Sequence, residues 1–254
     1  MLIVDAGVAR NEAALDQYFS SGWRSLTAFL VERMDPAKVR TFEARPDVAY
    51  KNHALVPSEE MRRDFAAAKT RLLEHACALA AAERLTYLEF GVRAGVSMRL
   101  VTKAIPSPGA RFYGFDTFTG LPDGWVSAYG NRGGQIGKIR AAGEMAVDQL
   151  PDIADRRVIL VKGLFQDTLP TVLPNLGGER LFVNIDCDTY TGALYALAML
   201  HPYLKTGDVV YFDEFVDEMN EFAAFNDYVR SFYMKSRFRL MARAFDGFLF
   251  TVVD

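Results

Sequence analysis

Three features of the sequence predict an α/β three-layer sandwich built on a mostly parallel seven-stranded sheet, with an antiparallel last strand and an N-terminal helical extension. From Leu85 onward, short apolar runs alternate with segments of helical period. Repeated strand–helix units of this kind form a parallel sheet covered by helices on both faces and joined by right-handed crossovers. Only Phe245-Asp246-Gly247 separates the last two runs, a hairpin-length connection that turns the final strand back on its neighbour. Finally, Leu181-Phe182-Val183-Asn184-Ile185 is nearly continuous in apolar residues, as a strand buried on both faces must be, and it ends abruptly in Asp186 and Asp188.

The elements follow in order. Residues 1–84 read as the helical extension, or lid, and 85–254 as the core. In the extension, Leu15, Phe19, Leu26, Phe29 and Leu30 are interrupted by Ser20-Ser21-Gly22, so two short helices are expected. The proline-framed stretch from Pro46 to Pro57 has no period and reads as a loop. Ser58 is placed as an N-cap, with Glu59 and Glu60 favoured by the helix dipole and Met61, Phe65, Ala68, Leu72, Ala76 and Leu79 on one apolar face. Strands are expected at 85–92, 111–115, 158–161, 181–187, 209–212, 238–244 and 248–253. Helices are expected at about 96–105, 141–150, 167–175, 190–204 and 219–234. A glycine-rich loop from Thr117 to about Arg140 begins directly at a strand end, and loops of that length in a compact core are commonly functional.

Composition excludes several classes. The chain has 254 residues, half of them hydrophobic, and a formal net charge of -3. Without a dense Lys/Arg stripe, a nucleic-acid partner is not expected. No signal-peptide pattern or membrane-length apolar run is visible, so a soluble cytoplasmic protein is expected. Cys77 and Cys187 form neither a disulfide framework nor a metal-ligand spacing. The oligomeric state is left open, with a homodimer allowed.

The chemistry lies at the ends of the strands. In Glu89-Phe90-Gly91-Val92-Arg93-Ala94-Gly95-Val96-Ser97, Gly91 and Gly95 let the backbone approach a ligand, and the following helix start offers amides to a carboxylate or phosphate. Asp116 ends the next strand at a spacing that suits a ribose. Asp186, Asp213 and Glu214 crowd one edge, and hard oxygen ligands of this kind suit Mg²⁺, with Mn²⁺ as an alternative. Asp188, on the same side of its strand as Asp186, is placed as a general base. The competing reading makes these carboxylates caps of the helices that follow. Trp125 and Tyr190 are candidates for stacking on a sugar face or for the core.

Four segments together resemble the macrocin O-methyltransferase family: Tyr87-Leu88-Glu89-Phe90-Gly91-Val92-x-x-Gly95-x-Ser97, Phe115-Asp116-Thr117-Phe118-x-Gly120-Leu121-Pro122-x-x-Trp125, Gly163-x-Phe165-x-x-Thr168-Leu169-Pro170 and Ile185-Asp186-Cys187-Asp188-x-Tyr190. The resemblance covers roughly residues 85–215 and implies a Rossmann-like class I enzyme that uses S-adenosylmethionine to methylate sugar hydroxyls. It implies that Glu89, Gly91, Gly95 and Ser97 surround the methionine moiety, Asp116 holds the ribose and Gln166 contacts the adenine. Asp186, also assigned to the cofactor site, would bind Mg²⁺ with Asp213 and Glu214, while Asp188 takes the acceptor's proton. His53, in the segment 50–57, would belong to a lid over the site and act on cofactor or acceptor. The family more often carries two aspartates where this chain has Asp213-Glu214. His75 and His201 are read as packing or surface residues.

Two rivals share the sheet. A nicotinamide-dependent sugar oxidoreductase or epimerase is disfavoured because the Gly-x-Gly-x-x-Gly fingerprint and a Tyr-x-x-x-Lys pair are missing. A non-catalytic module that binds an adenosyl ligand would have no need of the acidic edge.

Overall fold

The computed structural model describes residues 38–42, 59–126, 139–217, 219–234 and 237–254. His53, Ser58, the loop 46–57 and the two expected helices before residue 38 lie outside the described residues, as do residues 127–138 of the long loop. The strands are β1 (Arg40–Thr41), β2 (Leu85–Phe90), β3 (Arg111–Asp116), β4 (Trp125–Val126), β5 (Ile139–Arg140), β6 (Val158–Lys162), β7 (Arg180–Ile185), β8 (Val209–Phe212), β9 (Phe238–Ala244) and β10 (Gly247–Val252). The helices are α1 (Glu59–Ala80), α2 (Val96–Ala104), α3 (Phe165–Val172), α4 (Tyr190–Leu200) and α5 (Glu221–Ser231).

One eight-stranded sheet runs in the order β1-β9-β10-β8-β7-β2-β3-β6. The pairs β6–β3, β3–β2, β2–β7 and β7–β8 are parallel, and β10 is antiparallel to both β8 and β9. The antiparallel final strand predicted by the short connection is present. The eighth strand is an addition: β1, inside the segment read as helical extension, pairs parallel with β9 through Arg40↔Ala242 and Thr41↔Arg243. It covers an edge whose amides and carbonyls would otherwise be unpaired.

Alternation along each strand divides the core in two. Leu88 and Phe90 of β2, Val183 and Ile185 of β7, and Val210 and Phe212 of β8 share a cluster with α4 and α5. Leu85, Tyr87, Phe182, Val209 and Tyr211 pack on the other face against Ala68, Leu72 and Ala76 of α1 and Met98 and Val101 of α2. Helix α1 is therefore an integral layer of the sandwich, although it falls within the stretch read as an extension. Phe212, Phe215, Phe225 and Phe250 interlock with ring centroids 5.1–6.0 Å apart. Such pairs add about 0.5–1.5 kcal/mol each beyond their buried area.

The helix expected at 141–150 is absent, and that segment forms turns. Gly143 and Met145 take positive φ values of 83° and 70°. Exchange of hydrogen bonds between Leu121 and residues 143–144 ties the segment to the loop after β3 instead. Strand β2 stops at Phe90, two residues short of expectation, because Gly91 turns out of the sheet at φ 97°. Strand β7 likewise ends at Ile185, before Asp186 and Asp188.

Candidate active site

The strand order reverses between β2 and β7, since β3 and β6 continue outward from β2 while β8 continues outward from β7. In open α/β sheets, ligands bind beyond the carboxyl ends of the strands at such a reversal. A cavity of about 440 Å³ opens there. Hydrogen bonds carry the sheet one residue past its strands: Gly91 N donates to the Phe115 carbonyl at 2.9 Å, Asp186 N to Phe90 at 2.9 Å, and Asp213 N to Ile185 at 3.0 Å. These bonds hold Gly91, Asp186 and Asp213 at one edge.

The glycine turn is built for close approach. A Cβ on Gly91 would lie 1.8 Å from the Asp186 carbonyl oxygen, so only glycine fits. Gly95, at φ 72°, caps α2 without a side chain and leaves the first helical amides to a ligand. Asp116 braces the turn. Its Oδ2 accepts from Val92 N at 2.8 Å and Arg93 N at 2.7 Å, and its Oδ1 accepts from Phe118 N at 2.7 Å. A carboxylate accepts about four hydrogen bonds, which leaves capacity for roughly one more donor.

Of the residues assigned to the cofactor, Gly91, Ser97, Asp116, Gln166 and Asp186 line the cavity, whereas Glu89 and Gly95 do not. Glu89 is fully buried beneath the wall, where it accepts a short hydrogen bond from the Ser97 hydroxyl. Burial pushes its pKa up to about 8, against the lowering effect of bonds from Ser97 and Tyr87. Glu89 thus acts on the cavity through Ser97. Trp125 lines the cavity with Arg140 stacked over its ring at 5.7 Å. Tyr190 does not line it, and its hydroxyl donates to Asp227 at 2.9 Å. His201 packs against Tyr228 and Phe232, and His75 against Phe42, both away from the cavity.

Asp188 faces the same space. Its φ of 60° is a left-handed conformation, one that aspartate adopts more readily than most residues. The capping alternative does not apply to Asp186 or Asp188, because Thr189 caps α4 by accepting from Gly192 N. Burial raises the pKa of Asp188, and a hydrogen bond with Glu214 opposes the shift. Burial and repulsion from Asp188 raise Glu214 in turn. Asp186 is raised by burial and by repulsion from Asp213.

Two contributors escaped the sequence reading. Lys69 of α1 reaches Asp213 Oδ2 at 2.6 Å, donates to the Asp213 backbone carbonyl at 2.8 Å, and lies 3.2 Å from Asp246 Oδ1. Burial disfavours its charge, but Asp213 and Asp246 outweigh that cost and raise its pKa. Glu221, at the start of α5, is buried and accepts from Glu214 N at 3.0 Å. Lys69 was legible in principle: it continues the series Phe65, Leu72 and Ala76 at helical spacing, a basic residue on the core-facing side.

The expected Mg²⁺ trio does not fit this arrangement. Asp186, Asp213 and Glu214 all reach the cavity, yet among the described residues no group of three or more His, Cys, Asp or Glu side chains converges for a metal ion. Both carboxylate oxygens of Asp213 are engaged, Oδ2 by Lys69 and Oδ1 by the Tyr211 hydroxyl at 2.8 Å. Glu214 keeps one buried carboxylate oxygen, Oε2, without a hydrogen-bond partner. A divalent ion on Asp213 would share that carboxylate with the Lys69 ammonium, and the two cations repel.

The sequence profile of a methyltransferase domain matches residues 88–215, half of the chain. No curated protein sequence matches significantly. Among solved structures, that of the calicheamicin methyltransferase CalS11 superposes with a TM-score of 0.56 at 21% identity, covering 92% of this chain and 93% of that one. The O-methyltransferase NovP superposes with a TM-score of 0.51 at 20% identity over 73% of this chain and 80% of that one. At these identities the likeness establishes the fold. The profile match spans the strands that build the cavity, and on that ground the chain belongs to the methyltransferase-domain family, as a class I S-adenosylmethionine-dependent methyltransferase.

Proposed function

We propose that the chain transfers a methyl group from S-adenosylmethionine to a sugar hydroxyl of a saccharide or glycosylated metabolite. The observation that carries this reading is the placement of Asp188 on the same cavity as Gly91, Ser97 and Asp116. One cavity offers a cradle for the donor and a carboxylate for the acceptor.

When bound, the donor supplies a methyl group already activated by a sulfonium charge. The chain's own residues bind and orient. Gly91 admits the ligand close to the backbone, the first amides of α2 and Ser97 meet the amino-acid end, Asp116 accepts from a ribose hydroxyl, and Gln166 lies at the adenine. A cavity of about 440 Å³ is in the range of small-ligand sites. Asp188 accepts the proton of the attacking hydroxyl, a role suited to a carboxyl group whose pKa is raised toward the working pH. Alignment of oxygen, methyl carbon and sulfur supplies the remaining catalysis. Mg²⁺, anticipated from the sequence, has no part in this reading because both carboxylate oxygens of Asp213 are already engaged.

One observation supports a sugar acceptor. CalS11 is described in its apo structure as a TDP-rhamnose 3'-O-methyltransferase, and that structure superposes with a TM-score of 0.50 at 19% identity, covering 82% of this chain and 90% of that one. The test is incubation with methyl-labelled S-adenosylmethionine and a panel of nucleotide-activated and glycosylated acceptors. Label recovered as a methyl ether on a sugar oxygen is expected. Transfer only to phenolic or nitrogen acceptors would overturn the sugar assignment.

A further inference from the structure

The acidic edge has an internal counter-ion. Asp186, Asp188, Asp213 and Glu214 all line the cavity, and the ammonium of Lys69 is paired with one of them, Asp213. The side chain of Lys69 is 13% exposed, and it makes contacts at 2.6 Å, 2.8 Å and 3.2 Å to Asp213 Oδ2, the Asp213 carbonyl and Asp246 Oδ1. It is carried by α1, whose neighbouring Ala68 and Leu72 are fully buried against the sheet, so its position is fixed by packing. Lys69 Nζ also lies 5.0 Å from the Phe65 ring centroid, a further stabilising contact for a cation.

We propose that Lys69 supplies in cis the positive charge this acidic edge requires, so that methyl transfer here proceeds without a divalent cation. Lys69 is a positioning residue: it acts through Asp213, holding that carboxylate against Tyr211 and beside Asp186. An ammonium is a compact point charge, and it contacts two Asp213 oxygens while pairing in charge with Asp246. A hydrated metal ion would have to displace it from a place that packing maintains. The inference rests on reading the cavity as the methyl-transfer site.

The test is a calorimetric titration of Mg²⁺ into chelator-stripped protein presaturated with S-adenosylhomocysteine, using wild type, Lys69→Met and Lys69→Arg. Nucleoside binding is verified first, so a failure there counts against the methyl-transfer reading and not against Lys69. Wild type and Lys69→Arg are expected to show no saturable Mg²⁺ binding, whereas Lys69→Met acquires one site. Saturable one-site binding to wild type that is lost in Asp213→Asn would overturn the proposal. Absence of binding to Lys69→Met as well would overturn it too, since Lys69 would then not be what keeps the metal away. Should Lys69→Met fail to fold, the wild-type titration, together with turnover in excess chelator, decides: chelator-insensitive turnover is expected, and loss restored by Mg²⁺ contradicts it.

Discussion

Lys69 and Asp213, separated by 144 positions in sequence, meet at 2.6 Å and join the helix layer to the carboxyl edge of the sheet. The contact ties the site to the fold. Helix α1 is held by Ala68, Leu72 and Ala76 on the sheet, and Asp213 is held by its amide bond to Ile185. Asp213→Asn therefore weakens both. Removing one partner of a largely buried ion pair leaves the other charge under-compensated. Because Asp246 remains beside Lys69 and Asp213 is partly exposed, a loss of about 1–3 kcal/mol in urea denaturation is expected. Turnover falls sharply while affinity for S-adenosylhomocysteine stays nearly intact.

Asp188→Asn removes the proton acceptor without changing its size. A positioned general base contributes about 10²–10⁴-fold, so turnover is expected to fall by that range. Calorimetry with S-adenosylhomocysteine should show unchanged affinity. Wild-type turnover in this variant would remove Asp188 from the mechanism.

Glu89 makes stability depend on pH. Its pKa rises from an ordinary 4.5 to about 8 on folding, chiefly by burial, so between those values the folded chain binds more protons than the unfolded one. Stability from this group is fully present below 4.5 and is lost as pH rises toward about 8. In Glu89→Gln that contribution is gone. Denaturation midpoints measured from about pH 5 to about pH 9 should decline less steeply in the variant than in wild type. Parallel declines would contradict a neutral, buried Glu89.

Gly91→Ala places a Cβ 1.8 Å from a backbone oxygen at a φ of 97°. Neither atom belongs to a flexible side chain, so the turn must move. A destabilisation of at least about 2 kcal/mol is expected, with weaker nucleoside binding because the displaced turn lines the cavity. Thermal denaturation with and without S-adenosylhomocysteine reads both effects.

Much of the sheet was legible in the sequence because buried parallel strands are written as local apolar runs. β8 and β9 occur at the residues that pattern marks, and the antiparallel final strand follows from Phe245-Asp246-Gly247. The residues 141–150 misled because helical spacing of apolar residues is a local signal, whereas Gly143, Met145 and the pairing with Leu121 are set by the loop they return to. β1 was invisible at two residues long, since its reason for existing is the open edge of β9.

The site divided in the same way. Gly91, Asp116, Asp186 and Asp188 announced themselves at strand ends. The partner of Asp213 was marked only as a basic residue on the core-facing side of a helix, since a lysine far upstream carries no sign of which carboxylate it will meet. An acidic edge invites a metal ion when the sequence is read alone, and the structure sets an ammonium against it.

The measurement that bears most directly on the central claim is a calorimetric titration of S-adenosylhomocysteine into the wild-type chain and into Asp116→Ala. Asp116 holds the Val92 and Arg93 amides and lines the cavity, so it serves both the turn and the ribose. Saturable one-site binding to wild type, weakened at least about tenfold in the variant, or about 1.4 kcal/mol, is the predicted result. No binding to wild type, or equal binding to both chains, would contradict the assignment of this cavity as the methyl-donor site.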